Sequence, residues 1–228
     1  MIKQSDRLNS VEEYYFSKKL REVSNMIQSG ESVINMAIGS PDLFPSIRVI
    51  DEIKNSLSDS FAHKYQSYQG LPELRDAIAK FYNKFFGVEL NPLNEVLPLM
   101  GSKEGIMHIS LAFLNPGDEV LIPNPGYPTY LSVTKLVEAS PVFYNLSEEN
   151  SWFPNLSELE NKDLSKVKLM WINYPHMPTG AYANLDQFQK LLEFAKTNNI
   201  LLINDNPYSF ILNDDYLSLL KVKGYKDF

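Results

Sequence analysis

Asp205 follows the run Ile200-Leu201-Leu202-Ile203-Asn204, and Tyr208 stands three positions beyond it. A carboxylate at the end of an apolar run is costly to bury unless a cation or a hydrogen-bond donor meets it, so Asp205 calls for a partner. Gly101-Ser102-Lys103-Glu104 offers anion chemistry. Gly101 permits close backbone approach, Ser102 can cap or donate a hydroxyl, and the first free N–H groups of a helix favour phosphate. An ordinary serine N-cap would leave the same pattern. Pro123-Asn124-Pro125-Gly126-Tyr127-Pro128-Thr129-Tyr130 is a rigid turn that aims two tyrosines over a sheet edge, where a ring can stack on a planar ligand or cover the core. Asn173-Tyr174-Pro175-His176-Met177-Pro178-Thr179-Gly180 is similarly constrained. Neither Gly-x-Gly-x-x-Gly nor a Gly-Lys-Ser/Thr loop is present.

These turns need strands to carry them. Apolar runs predict strands over 96–100, 119–122, 141–145, 167–172 and 200–204. Pro98 is a wrinkle in the first, since proline suits a bulge or an edge. Helical spacing predicts helices over 11–28, capped by Ser10, from Pro45 to about Leu57, and from Pro72 to just before Gly87. Further helices are expected over 103–114, 129–137, 156–161 and 185–197. In the last, Asn184 caps and Leu185, Phe188, Leu191, Leu192 and Ala195 form the buried stripe. Gly30 ends the first helix and residues 33–38 read as extended. Alternating strands and helices imply an α/β fold, a mostly parallel sheet with helices on both faces. The carboxyl ends of its strands are where ligands sit, so four constrained turns converging on one edge carry more weight than any one of them.

The bulk properties exclude several classes. The chain has 228 residues, 21 basic against 28 acidic, and a net charge of −7, which is poor for nucleic acid. It has no cysteine, so neither disulfides nor thiolate metal sites are open to it, and His63, His108 and His176 are too scattered to suggest a metal. The first residues are polar, and no stretch approaches the roughly 20 apolar residues that span a bilayer. A cytoplasmic globular protein, with no membrane or nucleic-acid partner, is expected.

An ordered set of motifs resembles the class I/II aminotransferases, fold-type-I enzymes that use pyridoxal 5′-phosphate. It comprises Gly39-x-Pro41-Asp42, Tyr65 before Tyr68-Gln69-Gly70-Leu71-Pro72-Glu73-Leu74-Arg75, Gly101-Ser102-Lys103, the Tyr127 turn, Pro178-Thr179-Gly180 and Asp205-x-x-Tyr208. The resemblance implies that Asp205 pairs with the pyridine nitrogen, Tyr208 bonds the phenolic oxygen and Tyr127 stacks on the ring. It implies that Gly101, Ser102 and Lys103 hold the phosphate. Tyr65 would reach the phosphate of a neighbouring subunit in a homodimer, and Gly39 would line the substrate entrance. Amino acids and 2-oxo acids are the implied substrates. Residues 1–45 would be an N-terminal helix and entrance segment, and 46–228 an incomplete cofactor-binding large domain without the small C-terminal domain.

Two departures stand out. Met177 occupies the position where the family usually places an asparagine that donates to the phenolic oxygen, so Tyr208 acts alone or Asn173 or His176 compensates. Nothing after Tyr208 resembles the family's Schiff-base lysine segment, and Lys221, Lys223 and Lys226 read as a helix end or surface turn. The expectation is a chain that stops before its catalytic lysine, holds no catalytic residue and is inactive by itself. Another fold-type-I reaction (lyase, decarboxylase or racemase) and a lysine-less cofactor-binding or dimerisation module are the alternatives.

Overall fold

A computed structural model describes residues 2–36 and 39–227, which form two compact units: Glu12–Tyr68, and the remainder. The Glu12–Tyr68 unit carries α1 (Tyr15–Gln28) and α2 (Ile47–Ser56), neither of which buries a residue. The first helix is shorter than the spacing predicts. Residues Asp6–Ser10 form a 3-10 turn instead, and the Ser10 hydroxyl donates to the Arg7 carbonyl, so it is not the N-cap. The second helix begins at Ile47, with Ser46 at its N-cap position, rather than at Pro45. The piece expected to be extended has no regular structure over 33–36, and its last residues, Ala37 and Ile38, lie outside the described residues.

The larger unit contains α3 (Pro72–Phe86), α4 (Ser102–Phe113), α5 (Pro128–Leu136), α6 (Leu156–Glu160) and α7 (Leu185–Thr197). Its sheet comprises β1 (Glu119–Asn124), β2 (Ser140–Asn145), β3 (Val167–Ile172) and β4 (Leu201–Asn204), all parallel, in the order β2-β1-β3-β4. Residues 96–100 do not form the predicted strand. Pro98 has no N–H to give a ladder, and its ring instead packs within 2.9 Å of where a side chain on Gly70 would begin.

Both faces of the sheet are covered, which is why its strands are apolar almost throughout. Leu121, Met170, Ile172 and Leu202 point to one side, against Phe188, Leu191, Leu192 and Ala195 of α7. Val120, Ile122, Leu169 and Trp171 point to the other, against Ile106 of α4 and Tyr130 and Val133 of α5. The α7 helix starts with a full capping box: Asn184 accepts from the Gln187 N–H, and the Gln187 side chain accepts from the Asn184 N–H. Leu185 is the exception to its predicted stripe, since it is exposed and Phe194 is buried instead. Gly87 takes the left-handed conformation (φ 64°) that closes α3.

Candidate active site

The strand order reverses between β1 and β3, because the chain moves from β1 outward to β2 and then returns to the other side. Such a switch point leaves a crevice at the carboxyl ends of the two strands. Here the crevice opens early. The β1–β3 ladder ends at the pair Leu121–Met170, whereas β1 stays paired with β2 as far as Asn124–Asn145. Pro123 is therefore tolerated in a central strand, in the stretch where β1 has lost its β3 neighbour.

Asp205 sits just past β4 beside this crevice, and three contacts fix it. Its N–H donates to the Ile172 carbonyl at 2.9 Å, and its own carbonyl accepts from the Asn173 amide at 2.6 Å. Asn173 is locked in turn by accepting from the Met177 N–H at 2.8 Å. The Tyr130 hydroxyl donates to Oδ2 of Asp205 at 2.9 Å. Burial pushes the Asp205 carboxyl above its ordinary range, and the Tyr130 bond opposes that rise. The Tyr130 phenol is itself pushed far up, by burial first and then by the neighbouring carboxylate, so it is the donor in this pair.

A cleft of about 150 Å³ lies against Asp205 and is lined by Ser102, Tyr127, Asn173, Met177 and Tyr208. Among the described residues, Oδ2 is the one Asp205 carboxylate oxygen with a hydrogen bond inside the protein, which leaves Oδ1 for a ligand. Ser102 brings the start of α4 to the cleft. Gly101, the residue before it, has φ 92° and ψ 160°, a conformation open essentially to glycine alone. No side chain caps this helix start. Glu104 reaches back to accept from the Met100 N–H at 2.6 Å, which holds the preceding turn while leaving the first helical N–H groups uncapped. The Lys103 ammonium stands 5.9 Å from the centre of the Tyr127 ring.

Five of the residues singled out from sequence thus meet at one cleft: Ser102, Tyr127, Asn173, Asp205 and Tyr208. Gly101 and Lys103 flank it. Gly39 and Tyr65 belong to the Glu12–Tyr68 unit and are exposed there. His176 is buried away from the cleft lining, with Nδ1 2.8 Å from the Thr179 hydroxyl, and burial lowers its pKa. It is not among the cleft-lining residues, whereas Asn173 and Tyr208 both are, with the Asn173 oxygen and one of its two amide N–H groups already used within the protein. Tyr130, aimed at the sheet edge with Tyr127 by the turn, is the residue to which the sequence assigns no contact with Asp205. The available signal, a tyrosine in the first turn of α5, is the same as that of a core residue, and it is indeed 0% exposed.

The cofactor implied by the resemblance is a flat ring with a protonatable nitrogen on one edge and a phosphate on another. The residues present fit it. A half-buried carboxylate with one free oxygen suits a cationic N–H, an uncapped helix start suits the phosphate, and Tyr127 offers a ring face. A larger cavity, about 460 Å³, lies near Tyr174, Asn184, Phe188 and Tyr216, but its charged residues Asp215 and Lys221 are exposed and it lacks that combination.

Comparison with known proteins bears on the family and the fold. The chain is 42% identical to the LL-diaminopimelate aminotransferase of Dehalococcoides mccartyi (strain ATCC BAA-2266 / KCTC 15142 / 195), over 99% of its own length and 59% of the relative's. The apo structure of BacF from Bacillus subtilis superposes with a TM-score of 0.93 at 34% identity, covering 100% of this chain and 58% of that one. Alanine aminotransferase from Pyrococcus furiosus gives 0.87 at 28% identity, covering 95% and 56%. The chain thus spans about three-fifths of the length of the curated relatives it matches. Residues 31–227 match the family of class I and II aminotransferases, and the chain belongs to that family.

Proposed function

We propose that this chain forms the cofactor-holding part of a pyridoxal-phosphate-dependent aminotransferase, which moves an amino group from an amino acid to a 2-oxo acid. Enzymes of this family depend on pyridoxal phosphate, and one observation supports the cofactor's place here: Asp205, a half-buried carboxylate with one oxygen left unbonded by the protein, lines a cleft that also receives an uncapped helix start. When bound, the cofactor supplies an electron sink for the pair left at the substrate α-carbon. The chain's own residues hold and bias it. Asp205 keeps a proton at the ring nitrogen, because a partly buried carboxylate regains through a cation what it loses by leaving water. The N–H groups of Ser102 and Lys103 take the phosphate, with the Lys103 ammonium near the same end. Tyr127 packs on the ring, Asn173 braces Asp205 from behind, and Tyr208 donates to the phenolic oxygen where Met177 cannot.

The names of the curated relatives direct the substrate proposal to LL-diaminopimelate. Within this reading, residues 46–228 belong to the cofactor domain, and residues 1–45 flank the substrate entrance at Gly39. Tyr65, fully exposed, is available to the phosphate of a second copy in a homodimer, and we place the protein in the cytoplasm. Among the described residues no helix is long and apolar enough to cross a membrane.

Calorimetric titration of the chain with pyridoxal phosphate and with pyridoxal tests the site. Saturable binding of the phosphate ester, weakened by added salt and much tighter than that of pyridoxal, is expected. Equal affinity for the two, or no saturable binding, contradicts the placement of the phosphate at α4.

A further inference from the structure

We infer that Tyr130 is a positioning residue of this site, one side chain that sets both the carboxylate and the ring wall of the cleft. The inference rests on the cofactor reading above. Three contacts carry it. The Tyr130 ring stacks flat on Trp171 of β3, with centres 5.1 Å apart and planes 6° from parallel. The Tyr127 ring meets it edge-on at 5.6 Å and 84°. Its hydroxyl, at the far end of the same rigid ring, is 2.9 Å from Asp205 Oδ2. A phenol clamped on one face by an indole and touched by a second phenol has little freedom, so its hydroxyl is presented at a fixed point.

The hydroxyl does two things there. By occupying Oδ2 it restrains the rotation of the carboxylate and leaves Oδ1 as the oxygen open to a ligand. By donating to the charged form it opposes burial, which favours the neutral acid. The titratable groups around Asp205 are phenols: Tyr130 on α5, with Tyr127 and Tyr208 at the cleft. Tyr144 of β2 also raises the Tyr130 pKa. No basic side chain is among the cleft-lining residues, and the Tyr130 hydrogen bond is the contact that favours the ionised carboxylate against burial. Trp171 underlines the tightness of the stack: its indole N–H is buried without a hydrogen-bond partner, so the ring is held by packing rather than by its polar edge.

Tyr130→Phe keeps the ring and removes the donor. The test titrates wild type and Y130F with pyridoxal phosphate, and with the 1-deaza analogue whose ring has C–H in place of the nitrogen, across a range of pH. A hydrogen bond to a charged group at a part-open site should make Y130F bind pyridoxal phosphate about tenfold more weakly near pH 7, with a change of less than about twofold for the deaza analogue. The Tyr130 bond lowers the Asp205 pKa, so its loss should move the acid-side fall in pyridoxal phosphate binding to higher pH. Identical affinities and pH profiles in the two proteins overturn the role of Tyr130 while leaving the cofactor site standing. An equal loss for both ligands also overturns it, because the effect would then not pass through the ring nitrogen. Failure of wild type to bind pyridoxal phosphate overturns the inference together with the reading beneath it.

Discussion

At the scale of single residues, Asp205 is placed for a ligand at a cost to the ligand-free protein. Burial raises its pKa, so over the interval between its unfolded and folded values the unfolded chain holds fewer protons than the folded one. Stability from this group is therefore complete below its unfolded pKa and declines as pH rises through the raised folded value. Asp205→Asn removes that loss while keeping an oxygen for the Tyr130 hydroxyl. The variant should melt at a higher temperature than wild type near pH 7, with the difference vanishing in acid, while binding pyridoxal phosphate less well. Melting curves over pH check this, and a variant less stable than wild type at neutral pH would show that the carboxylate is held by more than Tyr130. Asp205 itself is legible in the sequence, since an acid ending an apolar strand is anomalous. Tyr130 is not, because its partners Trp171 and Asp205 lie 41 and 75 positions away and are brought to it only by the sheet.

At the scale of elements, the turn before α4 and the cap of α7 make contrasting tests. Gly101 holds a backbone conformation that costs other residues about 1–3 kcal/mol, so Gly101→Ala should lower stability in urea by that amount. It should also weaken pyridoxal phosphate binding, because the first N–H groups of α4 shift with the turn. Asn184→Ala breaks the capping box of α7 on the far face of the sheet and should cost about 1 kcal/mol with no change in that binding. If both variants weaken binding in proportion to lost stability, the α4 turn has no special part in holding phosphate. The elements most readable from sequence were those with local signals: α7, with its cap and stripe, and β3, apolar along most of its length, both fall where the spacing places them. Residues 96–100 and Ser10 misled because an apolar run and a serine are weak signals. Pro98 withholds a ladder donor, and the backbone near Ser10 closed a shorter turn that used the serine hydroxyl itself.

At the scale of the whole molecule, the order β2-β1-β3-β4 explains why residues far apart in sequence share one cleft. Tyr127 follows β1, Asn173 follows β3 and Asp205 follows β4, so a reversal of strand order between β1 and β3 gathers them at a single edge. The convergence of turns was foreseeable from alternating strands and helices. The size of the gap was not, because it depends on the β1–β3 ladder stopping at Leu121. No lysine is among the residues lining the cleft, so pyridoxal phosphate bound to the 228-residue chain should be held without a covalent link. Borohydride reduction followed by peptide mass spectrometry should find no pyridoxyl-modified lysine at the site, and a stoichiometric adduct on Lys103 would show that this lysine reaches the ring.

The most direct measurement is a calorimetric titration of pyridoxal phosphate into wild type and Asp205→Asn side by side. Saturable binding by wild type, at least about tenfold weaker in the variant, is expected, because the ion pair at the ring nitrogen is lost while the phosphate contacts remain. Equal affinity in the two proteins, or no saturable binding in wild type, would contradict the assignment of this cleft to the cofactor.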